Sequence, residues 1–100
     1  MSKLLEGKVA IVTGGAKGLG YGISRALASE GASVLISGRD GATAQAVAAE
    51  IERDFGSKAI GLAGDMGVKE DVLSMVQAAV DSFGGLDILV NNASLLSAGV

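Results

Sequence analysis

Residues 13–20 of the chain read TGGAKGLG and place four glycines between an apolar run and a helical pattern. The preceding run, residues 9–12, is Val-Ala-Ile-Val, which is typical of a strand buried on both faces. Residues 18–30 then carry apolar side chains at helical spacing, and Gly31 is a suitable terminator. A strand that enters a helix through glycines directs the free N–H groups and positive dipole end of that helix to one point, where a phosphate binds.

The spacing of these glycines excludes a nucleoside-triphosphate loop. Gly15 and Gly20 match the first part of the pattern G-x-x-x-x-G-K-[ST], but Tyr21 stands where the pattern needs lysine. An alternative is that the turn only packs the helix against the strand, although the strand–turn–helix context favours a phosphate site. The stretch instead has the form T-G-x-x-x-G-x-G, made by Thr13, Gly14, Gly18 and Gly20.

The alternation of strand and helix continues along the chain. Further strands are predicted at 33–37, 59–63 and 86–90, and further helices at 43–55 and 69–83. Asp40 is well placed to cap the second helix. The predicted apolar stripes are Ile23, Ala26 and Leu27 in the first helix and Val72, Val76, Ala79, Val80 and Phe83 in the third. Such a series predicts an α/β fold with a doubly wound parallel sheet, β-α-β-α-β-α-β, in strand order 3-2-1-4.

Composition limits the classes of function. One hundred residues, 49% apolar and 19% charged, make a folded domain or a part of one. The net charge of −3 with scattered Lys and Arg argues against a nucleic-acid partner. Because Cys and His are absent, the chain holds no disulfide, no His-based metal site and no Ser-His-Asp triad. With neither a signal-peptide pattern nor an apolar run of membrane-spanning length, a soluble cytoplasmic protein is expected, with no membrane partner.

Four landmarks together resemble the short-chain dehydrogenase/reductase family. They are TGGAKGLG at 13–20, SGRD at 37–40, Asp65 after the third strand and NNAS at 91–94. The likeness spans almost all 100 residues and is nearest to 3-oxoacyl-carrier-protein reductases and related sugar, alcohol and steroid dehydrogenases. It implies that residues 1–100 are the N-terminal part of a single NAD(P)-binding Rossmann domain, with the C-terminal catalytic half absent. It also implies hydride transfer between NADP(H) and a small carbonyl or alcohol in the complete enzyme, and a homo-oligomer.

The resemblance implies contacts with the pyrophosphate and the adenosine. Asp65 resembles the acid that hydrogen-bonds the adenine amino group, with Met66 beside it, and the alternative for Asp65 is a cap near the next helix. The residues that resemble the family's turn around the pyrophosphate and adenosine ribose are Gly14, Gly18, Leu19 and Gly20.

The segment after the fourth strand resembles the family's Asn-Asn-Ala-Gly, which joins the central strands and runs under the cofactor ribose. Thr13 is expected to brace this segment through its hydroxyl. A serine stands here in place of the final glycine, which puts a side chain against the cofactor. The segment consists of Asn91, Asn92, Ala93 and Ser94.

The end of the second strand predicts the choice of cofactor. An acid at this position bonds the ribose hydroxyls of NAD, whereas an Arg accommodates the 2′-phosphate of NADP. In this chain Ser37 ends the strand, Gly38 occupies the usual acid position and Arg39 follows. The glycine leaves room, the arginine supplies a forked cation, and Lys17 adds a second charge. NADP is therefore predicted.

Alternatives remain open at this point of the sequence. Arg39 has Asp40 and Glu30 as candidate ion-pair partners, and Lys17 has the alternative of a solvated surface lysine. Asp40 is itself a candidate ligand for the ribose of NAD, so NAD is possible beside NADP.

No catalytic residue is predicted within these 100 residues. In the family, a Ser and a Tyr-x-x-x-Lys pair follow well downstream of the Asn-Asn-Ala segment. The only tyrosine here is Tyr21, whose Tyr-x-x-x-Arg spacing to Arg25 is interpreted as a surface or packing pair. The alternative function is a non-catalytic dinucleotide-binding module or an engineered half-domain.

Overall fold

A computed structural model describes residues 3–92 as four strands that alternate with three helices. Numbered along the chain, the strands form one parallel sheet in the order third, second, first, fourth, which confirms the predicted doubly wound arrangement. None of the helices in this range has the length and apolar character needed to cross a membrane. The elements are β1 Val9–Thr13, α1 Gly18–Ser29, β2 Ser33–Gly38, α2 Gly41–Phe55, β3 Ala59–Ala63, α3 Lys69–Phe83 and β4 Ile88–Asn91.

The start of α2 is set by its capping residue. The sequence predicted a start at residue 43, but the helix begins at Gly41. One carboxylate oxygen of Asp40 accepts hydrogen bonds from the amides of Ala42 and Thr43, at 3.0 and 3.2 Å. Asp40 is thus confirmed as the N-cap, and the helix starts directly after it.

The predicted start of β4 at residue 86 is wrong. Leu86 packs into the core beneath α3 instead. The Asp87 carboxylate accepts from the Val9 amide at 2.9 Å, and the Asp87 amide donates to the Val9 carbonyl at 2.9 Å. This pair of hydrogen bonds joins the amino ends of β1 and β4. The regular parallel pairing of these two strands begins only after the pair.

The sheet has a hydrophobic core on each face. Val12, Val34 and Ile36 point to the face covered by α1 and α2. Ile11 and Leu35 point to the other face, which α3 covers. All five side chains are at most 1% exposed, and burying each one contributes about 1.5–3 kcal/mol. The two central strands are therefore buried on both sides, as their continuous apolar runs predict.

The buried stripe of α1 differs from the predicted one. Gly20, Ser24 and Ala28 face the sheet at intervals of four residues, whereas Ala26 is exposed. Small side chains let the helix approach the sheet closely, so the larger Leu27 lies at the margin of the core.

The apolar face of α3 is only partly covered. Met75 and Ala79 are buried, but Val76 and Val80, both on the predicted apolar stripe, are 37% and 42% exposed. The opposite flank of the helix carries Asp71, whose carboxylate accepts from the Asp65 amide in the loop after β3. The exposed flank therefore faces the β4 side of the sheet, where residues 3–92 place no further helix.

Leu89 extends this exposed surface onto the sheet. Its partner in the β1–β4 register is Ile11, so it lies on the α3 face, and it is 55% exposed. Within residues 3–92, β4 has no strand on its outer side. We call the exposed group the outer apolar patch, which consists of Leu73, Val76, Val80 and Leu89.

Candidate functional site

The carboxyl ends of the four strands meet at one edge of the sheet, because all strand pairs are parallel. A cavity of about 440 Å³ lies there. Its lining includes Gly64 and Gly67, which the sequence did not single out. Seven predicted site residues also line it: Gly14, Ser37, Gly38, Arg39, Asp65, Met66 and Asn91.

A second cavity of about 290 Å³ adjoins the first between the glycine turn and the start of α2. The two share Gly14, Gly38 and Arg39, so they form one continuous groove. Two charged side chains of opposite sign, Lys17 and Asp40, line only the second cavity.

The glycines of the turn serve different steric needs. Gly14 and Gly18 adopt left-handed φ angles of 63° and 53°, which favour glycine. A Cβ on Gly20 would lie 2.0 Å from the Gly14 carbonyl oxygen, so this position admits no side chain. Leu19 is 63% exposed, and neither cavity is lined by residues 18–20.

Within residues 3–92, no side chain caps the start of α1. Its N-cap, Lys17, makes no side-chain capping bond, and its first turn has no acidic residue. By contrast, Asp40 caps α2, and Glu70 and Asp71 lie in the first turn of α3. An anion at α1 would provide the missing acceptor and meet the positive end of the helix dipole.

Arg39 is free of the ion pairs suggested as alternatives. It is exposed, and no salt bridge of its guanidinium occurs within residues 3–92. Asp40 is engaged with the α2 amides, and Glu30 accepts a hydrogen bond from the Leu4 amide at 3.2 Å. The guanidinium therefore stands at the edge of both cavities without a carboxylate partner in this part of the chain.

Asp40 carries a firmly anionic carboxylate. Hydrogen bonds from the Thr43 side chain and amide, and then from the Ala42 amide, lower the pKa of Asp40, and the nearby charge of Lys17 acts in the same direction. Lys17 is exposed, so the structure is compatible with its description as a surface lysine, but it also lines the second cavity.

Asp65 organises the loop that follows β3. One carboxylate oxygen accepts from the Gly67 amide at 2.8 Å, and the Asp65 amide donates to the Asp71 carboxylate at 2.9 Å. The N-cap of α3 is Val68, so Asp65 closes a turn before the helix rather than capping it. Asp71 braces this loop, a role the sequence did not indicate.

The strand end at residues 91–92 is tied to the glycine turn. The Thr13 hydroxyl lies 3.2 Å from the Val90 carbonyl and 3.4 Å from the Asn91 side-chain oxygen, which confirms the expected brace. Asn92 is fully buried, and its side-chain amide donates to the Gly14 carbonyl at 3.3 Å. Ala93 and Ser94 lie outside the described residues.

Sequence reasoning missed two further polar residues near the groove. Thr43 lines the second cavity. The buried Ser24 hydroxyl lies 2.8 Å from the Gly20 carbonyl and 3.2 Å from the Gly15 carbonyl, beneath the glycine turn. The four-residue spacing of Gly20, Ser24 and Ala28 was the available signal, since it places three small residues on one helix face.

Tyr21 and Arg25 form the expected packing pair. The Tyr21 hydroxyl donates to the Glu50 carboxylate, which raises the pKa of Tyr21. Arg25 pairs with Glu50 and, at 3.0 Å, with Asp54, and its guanidinium stacks 4.8 Å from the centre of the Phe55 ring. The pair therefore joins α1 to α2.

The groove has counterparts among known proteins. The family described as short chain dehydrogenase matches residues 8–100. A 3-oxoacyl-[acyl-carrier-protein] reductase from Aquifex aeolicus is 41% identical over 91 residues, covering 91% of this chain and 37% of that protein. A 12alpha-hydroxysteroid dehydrogenase from a Clostridium species is 39% identical over 103 residues, covering 97% and 40%.

A solved structure shares the same architecture. L-sorbose reductase from Gluconobacter frateurii, complexed with NADPH and L-sorbose, superposes with a TM-score of 0.85 at 36% identity. The match covers 92% of this chain and 35% of the reductase. The chain thus spans well under half the length of these relatives. The family match over residues 8–100 and the structural likeness lead to one conclusion: the chain belongs to the short-chain dehydrogenase family.

Proposed function

We propose that this chain is the dinucleotide-binding part of an NADP(H)-dependent short-chain oxidoreductase. The bound cofactor would supply or accept a hydride, and the substrate would be a small carbonyl compound or alcohol. Several of the relatives are reductases or dehydrogenases of such compounds by name, and L-sorbose reductase was solved with NADPH. In this proposal residues 1–100 form the N-terminal part of a single domain.

The observation that carries the cofactor proposal is the end of β2. Gly38 removes the side chain from the usual acid position, and Arg39 has no carboxylate partner within residues 3–92. The one adjacent acid, Asp40, already bonds two amides of α2. An uncompensated, forked cation beside a glycine suits a 2′-phosphate better than a pair of ribose hydroxyls.

The other residues of the groove favour one orientation of the cofactor's adenosine and pyrophosphate. The uncapped start of α1, with Gly14 and Gly18 in left-handed conformations, would receive the pyrophosphate. Asp65 and Met66 line the first cavity, where the adenine would lie. Asn91 ends β4 and Asn92 follows it. Both would run under the ribose on the nicotinamide side, continuing into the proposed contacts at Ala93 and Ser94.

The proposal is tested by comparing dissociation constants for NADPH and NADH in the unmodified protein and in Arg39→Ala. A charge-assisted hydrogen bond contributes about 1.5–3 kcal/mol, so the variant should lose about ten- to 150-fold in NADPH affinity with little change for NADH. Arg53→Ala is the matched control, because Arg53 lies on α2, is 73% exposed at its side chain and lines neither cavity. Equal affinities for NADPH and NADH in the unmodified protein would contradict the proposal.

A further inference from the structure

The loop that follows β3 rests on one face of α3. Asp71 and Met75 lie one turn apart on that helix, so their side chains share a face. The Asp65 amide donates to the Asp71 carboxylate at 2.9 Å, and a Cβ on Gly64 would collide with the end of the Met75 side chain. The Gly64 amide also donates to the Gly38 carbonyl at 2.8 Å. The start of the loop is therefore held by α3 on one side and by the end of β2 on the other.

Asp65 has most of its polar groups engaged by this arrangement. Its carbonyl accepts from the Val68 amide at 3.0 Å, and its Oδ1 accepts from the Gly67 amide at 2.8 Å. The second carboxylate oxygen, Oδ2, accepts no hydrogen bond from residues 3–92, and Asp65 lines the first cavity. This oxygen is therefore the acceptor that the loop offers to a ligand.

Asp71 reaches further back along the chain than a residue at its position usually does. It is the third residue of α3, where a glutamate or glutamine commonly bonds the amide of the N-cap residue. Its carboxylate instead bonds the amide of Asp65, which lies upstream of the N-cap Val68. Because the acceptor is charged, this bond is about twice as strong as a neutral one. Asp71 lines neither cavity, so its effect on a ligand would pass through Asp65.

We propose that Asp71 is a positioning residue that sets the selectivity of the groove for adenine over other purines. The inference rests on the proposed function and deepens it, since it takes adenine to lie in the first cavity beside Asp65. The exocyclic amino group of adenine donates hydrogen bonds and suits the Oδ2 acceptor. Hypoxanthine has a carbonyl oxygen at that place, which leaves the carboxylate without a donor. By fixing the backbone of Asp65, Asp71 keeps Oδ2 where it distinguishes the two bases.

The experiment measures the dissociation constants of NADPH and of its hypoxanthine analogue by titration calorimetry. The two ligands differ only in the purine base, so the ratio of their dissociation constants isolates the contact with Asp65. The unmodified protein should bind NADPH about tenfold more tightly, as expected for a hydrogen bond to a charged acceptor. Asp71→Ala should remove most of this discrimination, chiefly by weakening NADPH. Asp71→Asn keeps an acceptor oxygen for the Asp65 amide and should retain most of it.

Glu70→Ala is the matched control. Glu70 precedes Asp71 in the first turn of α3, is exposed and lines neither cavity. Both acids interact favourably with the positive end of the helix dipole, so this variant removes that interaction without touching the bond to the loop. Glu70→Ala should therefore leave the ratio unchanged. In an Asp65→Ala background, Asp71→Ala should change the ratio no further, because both residues act through one oxygen.

Far-ultraviolet circular dichroism checks that each variant is folded, and Asp71→Leu, similar in size and without an acceptor, replaces Asp71→Ala if that variant is not. An unchanged ratio in the folded variant, or an equal loss of affinity for both ligands, would overturn the positioning role and leave the proposed function standing. Equal binding of the two ligands by the unmodified protein would do the same. Failure of the unmodified protein to bind NADPH would overturn the proposed function itself.

Discussion

Gly18 is the glycine of the turn at which the side-chain position is open. Its φ of 53° is left-handed, and an added Cβ would meet no atom of residues 3–92 within 4 Å. The space beside it is therefore available to a ligand, while the backbone conformation still favours glycine.

We predict that Gly18→Val abolishes cofactor binding and leaves the helix content nearly unchanged. The branched Cβ would occupy the space proposed for the pyrophosphate, without a clash inside the protein. Calorimetric titration with NADPH and far-ultraviolet circular dichroism measure the two effects. A folded Gly18→Val variant with unchanged affinity would show that the turn serves packing alone.

Gly22→Ala is the control for that substitution. Gly22 lies one turn further along α1, is exposed, and has open space around its Cβ position. Alanine is favoured over glycine inside a helix by about 0.5–1 kcal/mol, so this variant should unfold at a slightly higher temperature and bind NADPH normally.

The contact between α1 and α2 depends on a small charge cluster. Arg25 pairs with Asp54, and Arg53 pairs with the same carboxylate. These two arginines, Arg53 first, lower the pKa of Asp54 in the folded protein. A lowered carboxylate pKa stabilises the fold above the unfolded-state value of about 3.9, and the contribution is lost as the pH falls through the folded value.

We therefore predict that Asp54→Asn lowers the melting temperature at pH 7, and that the difference from the unmodified protein disappears as the pH falls below about 4. Thermal unfolding followed by circular dichroism from pH 7 to pH 3 measures this. The control is Asp81→Asn, which removes a carboxylate that has no ion pair within residues 3–92 and should leave the melting temperature at pH 7 nearly unchanged. A difference for Asp54→Asn that stays constant across this range would contradict the assignment.

The sequence predicted the bounds of an element well where a local pattern of residues defines that element. The bounds of β3 and α3 are those read from the sequence, because an apolar run and a long periodic stripe define them. The start of β4 was misjudged because its position depends on the contact between Asp87 and Val9, which are 78 residues apart. No local pattern encodes such a contact.

The sequence also located many of the residues that line the groove, but not the residues that brace it. Motifs located seven of the residues that line the first cavity, since a parallel sheet brings strand ends together. The brace at Asp71 was missed because it is identified only by the backbone group that it bonds. Ser24 was missed although its spacing from Gly20 and Ala28 was an available signal. The uncovered flank of α3 was misjudged because helical periodicity shows that a stripe is apolar and not whether a neighbour covers it.

The molecule as a whole carries the outer apolar patch beside the free edge of β4. Leu73 and Leu89 are more than half exposed, and within residues 3–92 no strand pairs with the outer edge of β4. Exposed apolar edge strands template pairing with another chain.

We predict that a polypeptide of residues 1–100, expressed alone, self-associates. Sedimentation velocity over a concentration series should show dimers or larger species, and Leu89→Lys with Val80→Glu should reduce them. Leu4→Glu, at a side chain that is 84% exposed near the other end of the chain, is the control and should have no effect. A clean monomer at high concentration would refute the edge argument.

The same polypeptide should show no hydride transfer. Its only tyrosine, Tyr21, bonds Glu50 between α1 and α2 and has a raised pKa, so it is no acid for a substrate carbonyl. The measurement is NADPH oxidation with a panel of small ketones. Turnover by the pure polypeptide, absent from a Gly18→Val preparation, would refute this prediction.

The hydrogen bonds between Val9 and Asp87 also constrain how the protein is made. β1 is a central strand, yet its partner on one side lies 78 residues later in the chain. At about 5–20 residues per second, a ribosome needs roughly 4–16 s to synthesise that interval. During this time the nascent chain can assemble β3, β2 and β1 but must hold β1 as a bare edge. The strand that leads into the glycine turn thus has no partner on that side until β4 has been synthesised.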